Sequence, residues 1–151
     1  MYDKQEHRID LATGIARLGA ICYVLWGLLH YYAAYGAFKS ASEVPASMER
    51  GQLQQEAFYL LFFATTGIVV GIMLNWRNDR LGFWLNAIAV STADIPFILF
   101  VLLPGYMPFW PGVLGPALWI PALICTAIGQ SSRLQIMPAE RSALRAAGAG
   151  R

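Results

Sequence analysis

The chain of 151 residues is unusually apolar, because 57% of its residues are hydrophobic and only 13% are charged, which lies outside the usage of soluble globular domains. The formal net charge of +2 and the lack of a basic run interleaved with aromatic residues argue against a partner made of nucleic acid. Cys22 and Cys125 lie in apolar stretches without metal-ligand or redox spacing, so we interpret them as packing residues.

The apolar residues are gathered into four blocks, each about 20 residues long, the length that crosses the hydrocarbon core of a bilayer. The blocks lie at about 18–38, 56–76, 81–103 and 113–129. The first block is too long for the apolar part of a signal peptide, so we expect it to be retained. The sequence therefore predicts an all-α fold, a four-helix transmembrane bundle that forms a single membrane domain over residues 1–151.

Three polar segments connect or follow the predicted spans. Residues 39–55 contain Pro45 and no apolar period long enough to span, so we expect an outer loop or a short surface helix. The polar turn at 77–80 makes the second and third spans antiparallel neighbours. Residues 130–151 are expected to form a cytoplasmic tail, either disordered or a short amphipathic helix.

Lys and Arg outside the spans are distributed unevenly between the two sides. One side has Lys4, Arg8, Arg17, Arg77, Arg80, Arg133, Arg141, Arg145 and Arg151, and the other has Lys39 and Arg50. Cytoplasmic loops carry the excess of Lys and Arg. The split of nine to two therefore predicts that both termini lie in the cytoplasm.

Ionisable residues at membrane depth are the candidate catalytic residues. Asp94 falls near the middle of the third span, where a charged side chain costs roughly 2.5–3.5 kcal/mol on insertion scales. His30 lies at a similar depth in the first span, so the two could meet, and a carboxylate beside an imidazole has the chemistry of a proton relay or an acid/base pair. Glu56 enters the second span at the outer boundary, where it is either hydrated or directed into the bundle. For all three, hydrogen bonding for packing alone is the competing interpretation.

Six further residues share helix faces or depth with these candidates, and we expect them to line an intramembrane cavity for an apolar molecule. They are Tyr23, Trp26, Tyr59, Phe63, Ser91 and Trp119. In the second span, Gly67 and Gly71 form a GxxxG pattern, which serves either packing within the bundle or an interface with a second copy or a partner membrane protein.

Motifs for nucleotides, dinucleotides, zinc hydrolases and nucleophilic serine are absent from the sequence, and so are clustered histidines. We therefore expect neither a cofactor nor a metal.

Arg17-Leu18-Gly19, then Gly27-Leu28-Leu29-His30, and the short turn between the second and third spans resemble small bacterial four-helix membrane proteins of the DoxX-like and uncharacterised families. The resemblance implies the architecture and a bacterial inner membrane location, and it implies no particular activity.

Two hypotheses of function follow from these features. In the first, the bundle binds an isoprenoid, sterol-like or lipid-derived molecule from the surrounding membrane lipids, and His30 with Asp94 or Glu56 performs a cofactor-free isomerisation, cyclisation or hydration. In the second, the chain is a non-catalytic membrane subunit or a small proton-coupled transporter.

Overall fold

The computed structural model describes the backbone of residues 2–148 and the side chains of residues 10–132. This part of the chain is helical and contains no strand. Its α-helices are α1 (Tyr2–Glu43), α2 (Met48–Met73), α3 (Arg80–Phe97), α4 (Phe109–Gly112) and α5 (Leu114–Gly148). A 3₁₀ turn (Asn75–Arg77) follows α2, and a π-helical turn (Ile98–Leu102) extends α3.

Four helical segments are long and apolar enough to cross a membrane, and they confirm the prediction of an all-helical protein with four apolar spans. They are Asp10–Glu43, Met48–Arg77, Arg80–Leu102 and Leu114–Ser132. The short α4 lies between the third and fourth of these segments and is preceded by the left-handed Gly105.

The helices extend beyond the predicted spans at both ends of the bundle. The predicted outer loop 39–55 is mostly helical, and only residues 44–47 separate α1 from α2. The break falls there because the ring of Pro45 disfavours helix at the preceding residue and because Ser47 caps α2 by accepting a hydrogen bond from the backbone N–H of Arg50 at 3.3 Å. At the other end, α5 continues to Gly148, so the backbone of most of the predicted tail is helical, while its side chains from 133 onward lie outside the described residues.

α1 is the central helix of the bundle and packs most extensively against α2 and α5. α1 approaches α2 closely at Gly27, where an added Cβ would lie 2.7 Å from the carbonyl oxygen of Ala64 and 2.5 Å from Ile68 Cγ1. On the α5 side, a Cβ at Gly19 would lie 2.9 Å from the carbonyl oxygen of Ala122. Small residues on α1 thus allow helix backbones to approach closely, as is common in membrane bundles.

The GxxxG pattern of α2 faces α1 of the same chain. A Cβ at Gly67 would lie 3.3 Å from the Trp26 ring, and one at Gly71 would lie 3.4 Å from the Ala20 carbonyl oxygen. These contacts show packing within the bundle, which is one of the two roles predicted for this pattern. An interface with a second chain stays a prediction.

The turn between α2 and α3 is tied to α5 by buried amides. Asn78 adopts the left-handed conformation with φ of 53° and its Nδ2 donates to the carbonyl oxygen of Gly129 at 3.0 Å. Gln130 Nε2 donates to the backbone oxygen of Asn78 at 2.8 Å. These bonds position α3 against α1 and α5, so that its buried face at Asn86, Val90 and Asp94 points to the bundle axis.

Candidate functional site

The carboxyl group of Asp94 lies in the interior of the bundle, with the residue 1% exposed. Its Oδ2 accepts a hydrogen bond of 2.9 Å from Nε1 of Trp26 on α1. Trp26 is itself fully buried and belongs to the core cluster with Tyr23, Val90 and Ala122. The packing of α1 against α3 therefore determines the position of the acid, because the donor belongs to a side chain held in the core.

His30 lies one helical turn beyond Trp26 and its ring stacks on the indole, with centroids 3.8 Å apart and planes inclined by 26°. Its Nδ1 is 2.8 Å from the backbone oxygen of Trp26. Because a carbonyl oxygen only accepts, Nδ1 carries the proton of this bond. In the neutral ring the proton-free nitrogen is then Nε2, which faces Asp94 Oδ1 at 3.8 Å.

The facing atoms of the pair are thus two potential acceptors. Among the described side chains, none donates a hydrogen bond to Asp94 Oδ1, and Nε2 of His30 is a donor only when the imidazole is charged. A proton on either atom would make the contact attractive. On Asp94 Oδ1 it gives a neutral acid beside a neutral imidazole, and on His30 Nε2 it gives an ion pair. The geometry therefore suits a pair that holds one shared proton.

Gly115 covers the pair from α5. It is the second residue of that helix, and an added Cβ would lie 3.1 Å from His30 Cε1 and 3.4 Å from Asp94 Oδ1. The start of α5 is therefore packed directly on the acid/base pair. Gly115 was not among the predicted site residues, because a glycine near the start of the fourth span carries no side chain that would mark it.

Most of the predicted cavity residues lie in or beside the core. Tyr23 is fully buried, and Phe63 packs against the core cluster. Trp119 Nε1 donates to Ser91 Oγ at 3.1 Å, which ties α5 to α3 about one turn from Asp94. These side chains support the walls around the pair.

Glu56 and Tyr59 are not brought to the pair. Both are exposed on α2, and the Tyr59 hydroxyl accepts a hydrogen bond from Nε2 of Gln55. Ala57 lines the same groove as Phe38, which lies eight residues beyond His30 on α1, or about 12 Å at the helical rise. Of the two alternatives for Glu56, the structure shows the position on the surface of α2, away from the bundle interior.

Two apolar grooves run between α1 and α2 on the surface of the bundle. One, of about 300 Å³, lies beside Tyr31, Phe38 and Phe58. The other, of about 370 Å³, lies beside Val24 and Trp76. Neither groove is lined by His30 or Asp94, so the two residues meet in packed protein with only the His30 side chain partly accessible, at 13%.

A second group of buried polar side chains lies closer to the turn between α2 and α3. Asn86 Nδ2 donates to the Gly67 carbonyl oxygen at 3.2 Å, and the side-chain amides of Asn86 and Asn75 lie 2.9 Å apart. Asn75, Asn78, Asn86 and Gln130 were not among the predicted site residues. Their signal was an excess of amides flanking a turn that has to pack against a neighbouring helix.

Metal binding finds no support in the described side chains, because no group of three or more His, Cys, Asp or Glu residues lies together in residues 10–132. A comparison with protein-family models, with curated proteins and with solved structures finds no match to this chain. Function is therefore argued from the geometry of the site alone.

Proposed function

We propose that this chain is an integral protein of the bacterial inner membrane, with both termini in the cytoplasm, and that its buried pair of His30 and Asp94 transfers a proton to and from an apolar molecule taken from the bilayer. The observation that carries the proposal is the approach of Asp94 Oδ1, which accepts no hydrogen bond from the residues that the structure describes, to His30 Nε2 at 3.8 Å. The four apolar spans and the uneven distribution of Lys and Arg support the membrane location and the orientation.

The pair has the parts of a cofactor-free isomerase. With the shared proton on Asp94 Oδ1, the acid protonates one carbon of a substrate double bond, and the π electrons form the new C–H bond. His30 Nε2 then removes a proton from a neighbouring carbon, whose C–H electrons form the new double bond. Passage of that proton from Nε2 back to Oδ1 restores the pair, so protons and electrons balance without a co-reactant.

The surroundings suit such chemistry. The aromatic surface of Trp26 lies inside the bundle, where it shields a reactive intermediate from bulk water. Trp26 also orients the carboxyl group through its bond to Oδ2. The partly exposed edge of His30 is the side from which a substrate would approach, and isoprenoid, sterol-like or lipid-derived compounds are the substrate classes that a bilayer supplies.

The alternative is a proton-binding subunit or a small proton-coupled transporter. It is favoured by the close packing of Gly115 on the pair, because protein atoms then occupy the space beside His30 and Asp94 that a substrate would need. In that case the shared proton is held or moved without bond-making in a substrate.

A ligand test separates these functions. We would measure thermal unfolding of the detergent-purified wild type, His30→Ala and Asp94→Asn, with and without a total lipid extract of the native host. The amide of Asp94→Asn still accepts from Trp26 Nε1 but cannot share a proton with His30. We expect the extract to raise the unfolding temperature of the wild type and of neither variant.

The matched control is Thr92→Val, which removes the bond to the carbonyl oxygen of Ile88 on the same helix and leaves the pair intact. It should respond to the extract as the wild type does. If the extract stabilises all four proteins alike, the pair does not bind a lipid-extracted molecule. If both pair variants unfold early regardless of extract, His30 and Asp94 are structural.

A further inference from the structure

Buried polar atoms without ordinary hydrogen bonds are not confined to the acid/base pair. In the described part of the chain they are Asp94 Oδ1, Tyr23 Oη and Asn86 Oδ1. The residues that carry them are all at most 1% exposed. Such atoms normally have a partner, and where protein does not supply one, internal water does.

Tyr23 Oη and Asn86 Oδ1 lie in the half of the bundle between the His30–Asp94 pair and the turn that joins α2 to α3. Asn86 precedes Asp94 by eight residues on the same buried face of α3, about 12 Å toward the turn. Tyr23 precedes Trp26 by one turn on α1, and its hydroxyl lies beside the side chain of Thr126 on α5. Both residues therefore continue the polar interior from Asp94 in one direction.

The same direction leads to the buried amides of the turn. Thr126 is 2% exposed, and Gln130 follows it by one turn on α5, where its Nε2 donates to Asn78 Oδ1 at 3.0 Å. On α3, Asn86 is joined to Asn75. Two sets of buried polar groups, Tyr23 with Thr126 and Asn86 with Asn75, thus lie between the level of Asp94 and the α2–α3 turn, with the buried Val90 between Asn86 and Asp94 on the same face of α3.

From Asp94 away from the α2–α3 turn, the described side chains form no comparable series of buried polar groups. Beyond His30, the buried residues of α1 are Ala34 and Ala41, and the hydroxyl pair of Tyr31 with Thr65 is on the exposed surface. We infer that the pair exchanges its proton with the side of the membrane on which the α2–α3 turn lies, through internal water held by Tyr23, Thr126 and Asn86.

This route rests on the proposed function, since it supplies the proton that His30 and Asp94 share. Tyr23 Oη and Thr126 Oγ1 act as positioning groups for water and need not touch a substrate. Thr126 Oγ1 donates to the carbonyl oxygen of Ala122 at 2.8 Å, so its lone pairs remain available as acceptors for water or for the Tyr23 hydroxyl.

The test is the rate at which the shared proton exchanges with deuterium after transfer of the purified protein into D₂O. The proton is followed by infrared spectroscopy of the Asp94 carboxyl band, assigned by its loss in Asp94→Asn. It is also followed by ¹⁵N NMR of His30 in a His7→Gln background, where His30 is the remaining histidine of the two in the chain. Either position of the proton is therefore observed.

We expect Thr126→Val and Tyr23→Phe to slow this exchange several-fold. The matched control is Thr92→Val, because Thr92 Oγ1 makes the same hydrogen bond of 2.8 Å to a carbonyl four residues earlier but is exposed on the outer surface of α3. Its exchange rate should equal that of the wild type. Thermal unfolding of each variant shows whether it is folded, and Asn86→Leu, which removes the buried amide, replaces any variant that is not and should also slow the exchange.

Exchange at the wild-type rate in the folded variants among Thr126→Val, Tyr23→Phe and Asn86→Leu would overturn the route and leave the proton pair in place. A different result would contradict the proposed proton-sharing pair itself. In that case Asp94→Asn would lose no carboxyl band, and the ¹⁵N resonance of His30 Nε2 would be unchanged in that variant. The two failures are therefore distinguishable.

Discussion

At the residue scale, the site depends on how closely the start of α5 packs on the acid/base pair. A Cβ at Gly115 would lie 3.1 Å from His30 Cε1 and 3.4 Å from Asp94 Oδ1. The first distance is tighter than ordinary van der Waals contact. The imidazole has little freedom to yield, because it is stacked on Trp26 and bonded to its carbonyl.

We therefore predict that Gly115→Ala lowers the free energy of unfolding by about 1–3 kcal/mol, the usual effect of overpacking, and shifts the ¹⁵N resonance of His30 Nε2. Chemical unfolding in detergent and NMR measure the two effects. Gly36→Ala is the control, since nothing lies within 4 Å of an added Cβ there. It should be neutral or stabilising by up to about 1 kcal/mol. Equal effects of the two substitutions would contradict the close packing at Gly115.

The sequence predicted only part of this site. The similar depth of His30 and Asp94 in parallel spans indicated that they could meet but did not determine whether they do, and the structure places His30 Nε2 and Asp94 Oδ1 3.8 Å apart. The donor role of Trp26 was not predictable, because it depends on the direction of an indole inside the core. Gly115 carries no side chain, so its importance comes only from the neighbours that the fold brings to it.

At the element scale, apolar composition predicts spans better than it predicts their ends or rotation. The four spans were identified because lipid-length runs are long and continuous. Their ends were misplaced because α1 and α2 continue as helices through polar residues on either side of residues 44–47. The rotation of α2 was not predictable either, because nearly all of its faces are apolar, and Tyr59 therefore lies on the surface instead of the cavity wall.

Among the glycines between α1 and α2, Gly27 has the closest neighbours, and it lies outside the GxxxG pattern. Its added Cβ would meet the backbone oxygen of Ala64 at 2.7 Å, so the helices have to separate to admit it. We predict that Gly27→Ala destabilises the bundle by about 1–3 kcal/mol. Gly71→Ala is the matched control on the facing helix, where the nearest atom lies at 3.4 Å and little loss is expected. Unfolding in detergent ranks the two, and a larger loss in Gly71→Ala would contradict this account of the interface.

At the scale of the whole molecule, the proposed function and the proton route depend on the orientation of the bundle. The turn between α2 and α3 contains Arg77 and Arg80, and the route from Asp94 leads to this turn. If the turn faces the cytoplasm, as the excess of Lys and Arg predicts, the pair takes its proton from the cytoplasmic side. The opposite orientation would connect it to the outer side.

Cysteine accessibility measures this orientation. In a background with Cys22→Ala and Cys125→Ala, we would introduce either Ala46→Cys between α1 and α2 or Arg77→Cys between α2 and α3. Both positions are exposed. A membrane-impermeant maleimide added to intact spheroplasts should label Ala46→Cys at once and Arg77→Cys only after permeabilisation. The reverse pattern would place the termini outside, and it would also reverse the side from which Asp94 draws its proton, while the contact between His30 and Asp94 would be unaffected.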